Sequence, residues 1–363
     1  PANQFYTPHW VVRLLTDNSL GKLYAESTGD VDQMLGQQHH LSATERVDRV
    51  PTIDQSPDIA SLCTYMTPAE TTTENIETTE FDHPSEISII DPACGSGHFL
   101  LYAYDVLERI WLDADVDIPR KEIPEKILKD NIYGVDLDLR ACQLATFNLY
   151  LKARVRAESA GAQDFALPEV GIVCADTAIA DVEEVERVFD EVASDQPEVR
   201  EALDEILSEF KGVQGLGSLL DVKGTLSDEF LQEQTKLTDT WTGPSSLTKF
   251  LDQLHDQINQ RKTDNSFLAQ DLNSFLRLLV VLSQDYDVAL MNPPYGSGKK
   301  MPDSVQKYVK EHYEYSPEYY INFFEVCDNL VKQNGRIGML IPRTFMMKRS
   351  MQQFREDFVG DRG

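Results

Sequence analysis

The sequence has few cysteines, and their spacing excludes two kinds of stabilising site. The five are Cys63, Cys94, Cys142, Cys174 and Cys327. Structural zinc sites and disulfide frameworks use cysteine pairs at short, regular spacing, which is absent here. The pattern favours a reducing compartment, and we predict no metal site.

The sequence also lacks a long apolar run. No stretch approaches the roughly 20 apolar residues that cross a bilayer, and no signal peptide precedes the first motif. We therefore predict a cytoplasmic protein without a membrane partner. The chain begins at Pro1 without a methionine and ends at Gly363, and we interpret it as part of a longer protein or a processed one.

Basic side chains are scarce, with 33 Lys and Arg against 61 Asp and Glu and a formal net charge of -28. If this charge were spread evenly, the surface would repel nucleic acid. However, residues 177–284 carry 21 acidic and 9 basic side chains, whereas residues 285–363 carry 11 of each. A polyanion can therefore approach the C-terminal part. The acidic, lysine-poor composition also suits a halophilic source, where salt screens the repulsion.

The most informative stretch is Tyr286–Met291 followed by Asn292, Pro293, Pro294 and Tyr295. The apolar run predicts a buried strand, which the prolines end because they fix φ and donate no ladder hydrogen bond. In open α/β sheets, ligands bind at the edge formed by the carboxyl ends of the strands, where this strand stops. There, the Asn292 side-chain carbonyl and the Pro293 main-chain carbonyl can accept both hydrogens of one planar amino group. This would localise the nitrogen lone pair for attack on a methyl donor, and Tyr295 offers a face for stacking. A proline-rich turn without chemistry is the alternative.

A second motif combines a predicted strand, a glycine loop and a helix. The strand is Ile87–Asp91, the loop is Pro92–Gly97, and the helix runs from His98 to Leu112. This is the first unit of a nucleotide-binding α/β fold. Leu100 stands where a dinucleotide fingerprint has its third glycine, and the Lys-Ser/Thr pair of a P-loop is missing. The loop therefore favours a short anion, such as an amino-acid carboxylate, at the helix N-terminus.

Two further predicted strands end in acidic residues. The first is 131–136, ending at Asp136, and the second is 170–176, ending at Asp176. A carboxylate at the tip of the second strand is where such folds bind a ribose diol. The alternative role for Asp136 is to cap the next helix, and Asp138 fits that role at least as well. Asp176 can accept a hydrogen bond from an adenine amino group.

Taken in order, these stretches resemble the motif series of the γ-class DNA adenine-N6 methyltransferases, which use S-adenosylmethionine. The series is Phe5-Tyr6-Thr7-Pro8, Asp91–Gly97, Gly134–Asp136 and Asn292–Tyr295. A further predicted strand, Gly335–Pro342, matches a later motif. Within that class, the glycine loop and the long insertion are similar to those of the PglX-type methyltransferases of BREX phage defence and of fused type IIG restriction–modification enzymes. The resemblance implies an α/β, Rossmann-like S-adenosylmethionine-dependent methyltransferase fold with a mostly parallel sheet and a helical insertion.

The resemblance also implies a role for each site residue. The residues that would bind S-adenosylmethionine are Phe5, Tyr6, Thr7, Asp91, Ala93, Gly95 and Gly97, with Asp136 on the ribose and Asp176 on the adenine. The residues that would bind the target base, flipped out of double-stranded DNA, are Asn292, Pro293, Pro294 and Tyr295. We also expect weaker DNA contacts from Lys299, Lys300 and Phe345, although an ordinary solvated loop explains the lysines equally well.

The motifs and the resemblance predict five regions in the chain. An N-terminal cofactor-binding segment, residues 1–26, includes a helix that Thr7 caps and Pro8 begins. An irregular connection, 27–84, leads to the first part of the methyltransferase core, 85–180. An acidic helical insertion, 181–282, then precedes the second part of the core, 283–363. A target-recognition domain, which members of this class carry after the last motif, is not found.

Two other functions also fit these motifs. A protein glutamine-N5 methyltransferase shares the Asn-Pro-Pro-Tyr motif, because a side-chain amide is also a planar amino group. A cofactor-binding module that acts through protein partners would use the acidic insertion as its surface. The Phe-Tyr-Thr-Pro element, the insertion and the length favour DNA, with other defence-system proteins as further partners.

Overall fold

A computed structural model describes residues 7–29, 59–67, 79–114, 116–176, 190, 200, 204, 206–208, 215–225, 266–296, 298–315 and 318–361. Its centre is a five-stranded sheet in which every neighbouring pair of strands is parallel. The strands are β1 (Ile89–Asp91), β2 (Ile132–Asp136), β3 (Gly171–Cys174), β4 (Tyr286–Met291) and β5 (Val331–Met339). Their order is β3-β2-β1-β4-β5, which confirms the predicted α/β fold with a parallel sheet.

The strand order reverses between β1 and β4. Ile89 in β1 pairs with Ile132 of β2 on one side and with Val288 of β4 on the other. In open α/β sheets, ligands bind outside the carboxyl ends of the strands at such a reversal. Asp91, which ends β1, and Asn292, which follows β4, therefore lie at the edge where a ligand site is expected.

The predicted strands are all present, with small shifts in their ends. The strand β4 stops at Met291, so the Asn-Pro-Pro stretch ends it as predicted, and all six of its residues are buried. The strand β5 begins at Val331, earlier than the predicted Gly335. It pairs with β4 through a register irregularity between Tyr286 and Val288, and this irregularity obscures the period of its first residues.

Helices cover both faces of the sheet. They are α1 (His9–Thr16), α2 (Lys22–Thr28), α3 (Ile59–Leu62), α4 (His98–Asp113), α5 (Ile123–Lys126), α6 (Leu139–Ser159), α7 (Ser266–Ser283), α8 (Asp303–His312), α9 (Tyr319–Leu330) and α10 (Gln352–Arg355). Alternate strand residues serve opposite faces. Ile89 and Val288 pack in the core shared with α4 and α6, whereas Ile90 and Ala289 pack in the core shared with α7 and α9.

The N-terminal helix differs in detail from its prediction. It begins at His9 with Pro8 at the N-cap position and no side-chain cap bond, so the predicted Thr7 cap is wrong. The hydroxyl of Thr7 instead accepts a hydrogen bond from Asn292. A π-helical turn, Asp17–Gly21, then separates α1 from α2.

Buried polar contacts hold this N-terminal segment against α4. The Arg13 guanidinium donates to the Leu62 carbonyl at 3.0 Å, and the Tyr102 hydroxyl of α4 donates to Asp17 Oδ1 at 2.7 Å. The Tyr65 N–H donates to the other Asp17 oxygen at 2.9 Å. Burial raises the pKa of Asp17 to about 6, against the opposing effect of these hydrogen bonds. Segment 59–67, in the predicted irregular connection, thus helps to place α1.

The last helix of the predicted insertion covers the sheet. In α7, Phe275 and Leu279 are fully buried in the same core as Tyr286 of β4. Of the remaining residues in 181–282, the described Ile206 and Leu219 join this core as well.

Among the described residues, no helix is long and apolar enough to cross a membrane. The same residues contain no group of three or more His, Cys, Asp or Glu side chains that could hold a metal ion.

Candidate active site

The glycine loop after β1 follows a buried carboxyl group. Asp91 is 1% exposed, and its Oδ1 accepts a hydrogen bond from the Ala93 N–H at 3.1 Å. Gly95 and Gly97 adopt φ values of +52° and +84°, which favour glycine. A Cβ at Gly95 would meet nothing within 4 Å, so the loop faces open space and a ligand can approach its backbone.

The Asp136 carboxylate at the tip of β2 fixes the shape of this loop. One oxygen accepts from the Gly95 N–H at 2.8 Å, and the other accepts from the Asp138 N–H at 2.8 Å. Asp138 itself caps α6 by accepting from the Arg140 N–H at 2.9 Å, so the helix-cap role belongs to Asp138. Asp136 is half-buried, and its predicted role on a ribose stays a prediction.

Burial dominates the electrostatics of Asp91. It raises the pKa of this carboxyl well above the usual range; the hydrogen bond from Ala93 opposes the shift, and the nearby Asp136 charge adds to it. Burial disfavours the charged form of Asp91. A cation that binds at this edge would favour the carboxylate form and would be stabilised by its charge.

The Asn292 side chain at the tip of β4 is oriented by two hydrogen bonds. Its Nδ2 donates to Thr7 Oγ1 at 2.8 Å, and its Oδ1 accepts from the Tyr295 hydroxyl at 2.6 Å. The same hydroxyl lies 3.0 Å from the Leu340 carbonyl. The amide therefore donates to the N-terminal segment and directs its carbonyl towards a hydrogen-bond donor.

Burial raises the pKa of Tyr295, so its hydroxyl remains a donor at neutral pH. A phenol has one proton to donate, which Asn292 and Leu340 share. An amino group that enters the site can replace this hydroxyl at Asn292 Oδ1, since both are donors.

The remaining predicted residues lie in different settings. Asp176 is exposed beyond β3, the strand at one end of the sheet. Lys299 and Lys300 are exposed on a short 3-10 turn. Phe345 is half-buried and packs against Phe354, with ring centroids 6.1 Å apart.

Phe5 and Tyr6 lie outside the described residues. The structure thus brings together Thr7, Asn292 and Tyr295 in one group, and the Asp91–Gly97 loop and Asp136 in another.

Sequence reasoning missed three contacts at this edge. Thr7 contacts Asn292 rather than capping a helix, and no local pattern marks that distant pairing. The Ser218 hydroxyl donates to the Pro92 carbonyl at the start of the glycine loop. Ser218 lies in a glycine-rich stretch, and such a stretch indicates only an interruption between helices. The contact between the Leu340 carbonyl and the Tyr295 hydroxyl had no signal in the sequence either.

An open cavity of about 410 Å³ lies along β3 between α6 and α7, and none of the predicted site residues lines it. The strand reversal and the polar groups described above converge instead at the β1–β4 edge.

Comparison with known proteins assigns the chain to a family. The model of the Eco57I restriction-modification methylase family matches residues 130–362. The chain belongs to this family, since the match covers well over half of its length. The matched region includes Asp136 and Asn292, while the glycine loop precedes it.

Relatives match a wider part of the chain. It is 26% identical over 98% of its length to adenine-specific methyltransferase BrxX from Escherichia coli, covering 28% of that protein. It is 25% identical over 98% of its length to adenine-specific methyltransferase PglX from Lacticaseibacillus casei, covering 26% of that protein. A PglX from Streptomyces coelicolor is 35% identical over 22% of the chain, or 6% of that protein.

The chain spans about a quarter of the length of the first two of these relatives. The family prediction made from motif order, including the similarity to PglX-type methyltransferases, is confirmed.

We predict that Asp136→Asn lowers the free energy of unfolding by about 1.5–3 kcal/mol, the usual contribution of hydrogen bonds to a charged group. An amide offers one acceptor oxygen where the carboxylate now receives two N–H groups. The measurement is urea denaturation. Asp138→Asn is the matched control, because asparagine caps helices as well as aspartate does. It should lower the free energy of unfolding by only a few tenths of the loss expected for Asp136→Asn. Equal losses in both variants would contradict the prediction.

Proposed function

We propose that this chain transfers a methyl group from S-adenosylmethionine to the N6 amino group of adenine in DNA, in BREX-type phage defence or restriction–modification. One observation carries the proposal: the Asp91–Gly97 loop and the Asn292–Tyr295 stretch follow adjacent parallel strands at the reversal of strand order. A methyl donor and a planar amino group held by these two stretches would lie side by side.

The residues around the glycine loop fit the charge of this cofactor. When bound, S-adenosylmethionine supplies an electrophilic methyl group on a positively charged sulfur. Asp91 would bind the ammonium of its methionine part, because a buried carboxyl with a raised pKa gains from a nearby cation. The backbone from Ala93 to Gly97 would approach its carboxylate at the start of α4. Asp136 would bind the ribose and Asp176 the adenine, with Phe5 and Tyr6 covering the methionine part, whereas Thr7 would orient Asn292.

The Asn292 tip fits the target amine. Its Oδ1 already accepts from a hydroxyl donor, and the Pro293 carbonyl provides a second acceptor. Two accepted hydrogen bonds would localise the lone pair on nitrogen, and this lone pair would form the new N–C bond as the bond between the methyl carbon and sulfur breaks. The nitrogen then loses one proton to water. No strong general base is required, and positioning supplies much of the rate.

The relatives' names and the charge distribution favour DNA as the substrate. Two of these relatives are named adenine-specific methyltransferases and match nearly the whole chain. The balanced charge of residues 285–363 and the exposed Lys299 and Lys300 allow a phosphate backbone to approach. We place the protein in the cytoplasm, with other defence-system proteins as partners.

The decisive experiment incubates the full-length protein with duplex DNA and S-adenosylmethionine labelled on the methyl group. We expect label in N6-methyladenine, with sequencing of the product giving the modified site. Asn292→Ala should lower turnover by about 100-fold or more, as losses of key transition-state contacts do. Asn329→Ala, which changes an exposed asparagine on α9, is the control. Label on a glutamine side chain instead would favour the protein methyltransferase, and cofactor binding without transfer would favour the binding module.

Thr7 offers a test of how the amide is oriented. Thr7→Val keeps the shape but removes the oxygen that accepts from Asn292 Nδ2, so the amide can rotate. We expect kcat to fall by about 10-fold, equivalent to one hydrogen bond of about 1.4 kcal/mol, with the cofactor Kd unchanged. Thr7→Ser retains the oxygen and should restore most of the rate. A cofactor Kd that rises in Thr7→Val while kcat stays constant would contradict this role.

The pKa of Asp91 predicts a pH dependence of cofactor binding. The free carboxyl is protonated below its raised pKa, and a bound ammonium favours the carboxylate, so binding releases a proton and affinity increases with pH up to that pKa. Calorimetry in two buffers with different ionisation heats measures the released proton. Asp91→Asn should weaken binding by about 10- to 100-fold, the range for a charge-assisted hydrogen bond, and remove the pH dependence. Unchanged proton release in this variant would contradict the assignment.

A further inference from the structure

A short loop after β5, residues 343–349, presents the two most exposed large apolar side chains among the described residues. Met346 is 64% exposed and Met347 is 84% exposed. We call this segment the methionine loop. Isolated surface methionines need no explanation, but two consecutive ones beside a site for a large substrate suggest a contact surface.

The methionine loop lies beside the base-binding tip. The strand β5 ends at Met339, and the next residue contacts that tip twice. The Leu340 N–H donates to the Met291 carbonyl at 3.0 Å, and the Leu340 carbonyl accepts from the Tyr295 hydroxyl. The methionine loop begins three residues later, at the same edge of the sheet.

The backbone on both sides of the two methionines is fixed. Arg355 Nη1 donates to the Phe345 carbonyl at 2.6 Å and to the Lys348 carbonyl at 2.8 Å. The Phe345 ring packs with Phe354 in an aromatic cluster. Met346 and Met347 therefore project from a held turn, with Phe345 as its anchor.

The charges around the methionine loop suit a polyanion. Arg343 and Arg349 are exposed at its two ends. Lys348 is partly neutralised by Glu318, with Nζ and Oε1 2.9 Å apart. A protein surface that binds phosphates presents such exposed arginines, and apolar side chains that enter a base stack lie between them.

We propose that Met346 and Met347 form a wedge that enters duplex DNA where the target adenine leaves the stack, while Arg343 and Arg349 contact phosphates beside it. The inference rests on the proposed function, because only a flipped base leaves such a gap. Methionine suits this position, since its unbranched, polarizable side chain adapts to irregular apolar surroundings. Phe345, which the sequence suggests as a DNA contact, supports the wedge from beneath.

The test uses the full-length protein and two duplexes that carry the modified site found by product sequencing. In one duplex the target adenine is paired with thymine, and in the other an abasic position stands opposite it. The double variant Met346→Ser/Met347→Ser should lose about 10-fold or more of its turnover on the paired duplex, because unstacking is no longer assisted. On the abasic duplex, where the adenine is already unpaired, it should approach the wild-type rate. Val155→Ser is the control, since Val155 is 59% exposed on α6.

The outcomes separate the wedge from other roles. Equal losses on both duplexes, with a lower unfolding temperature, would show that the methionine loop packs against protein and would overturn the wedge. Unchanged turnover on both would overturn it as well. If product sequencing finds no modified adenine, the proposed function and the wedge fail together, whereas an active wild type with an unaffected variant removes the wedge alone.

Discussion

The parallel pairing of β1 with β4 is the constraint on which the candidate site depends. These strands are nearly 200 residues apart in sequence, and a buried carboxylate fixes their alignment. Asp287 is 1% exposed, and its Oδ2 accepts from the Ser88 N–H at 2.8 Å and lies 3.2 Å from the Ser88 hydroxyl. Its Oδ1 accepts from Lys332 of β5 at 2.8 Å. A shift of one residue would turn each side chain to the opposite face of the sheet and into the wrong core, so these contacts at the amino ends of the strands determine what meets at the carboxyl ends.

At the carboxyl ends, the site is assembled from segments that contribute little alone. The glycine loop takes its shape from Asp136 of the neighbouring strand. The Asn292 amide takes its orientation from Thr7, and Thr7 takes its position from the contacts of Arg13 and Asp17 with segment 59–67 and α4. Each contact joins distant parts of the chain. The geometry of the site therefore depends on the packing of α1 as much as on the sheet.

The sequence predicted the local features of this fold well. Apolar runs, prolines and glycines indicated all five strands and the two strand tips of the candidate site, because each signal acts within a few residues. Contacts set by tertiary packing left no such signal. Thr7 resembles an ideal helix cap, yet its hydroxyl bonds to Asn292. Phe345 resembles a free aromatic contact, yet it packs against Phe354. The start of β5 was missed because its irregular register with β4 interrupts the alternation expected of a strand. The helix α7 was assigned to the insertion because an amphipathic helix has the same sequence pattern whether or not it covers a sheet.

The hydrogen bond from the Tyr295 hydroxyl to Asn292 has a chemical consequence for which nucleobase the tip can accept. Without a ligand, the Asn292 oxygen and the Leu340 carbonyl already receive a donor from within the chain. A base with a keto oxygen at this place would set acceptor against acceptor and leave these half-buried oxygens without partners, which is unfavourable. An exocyclic amine supplies the missing hydrogens. A tip that binds the base as proposed would therefore discriminate between amino and keto bases before any chemistry begins, through the same oxygens that hold the tyrosine in place.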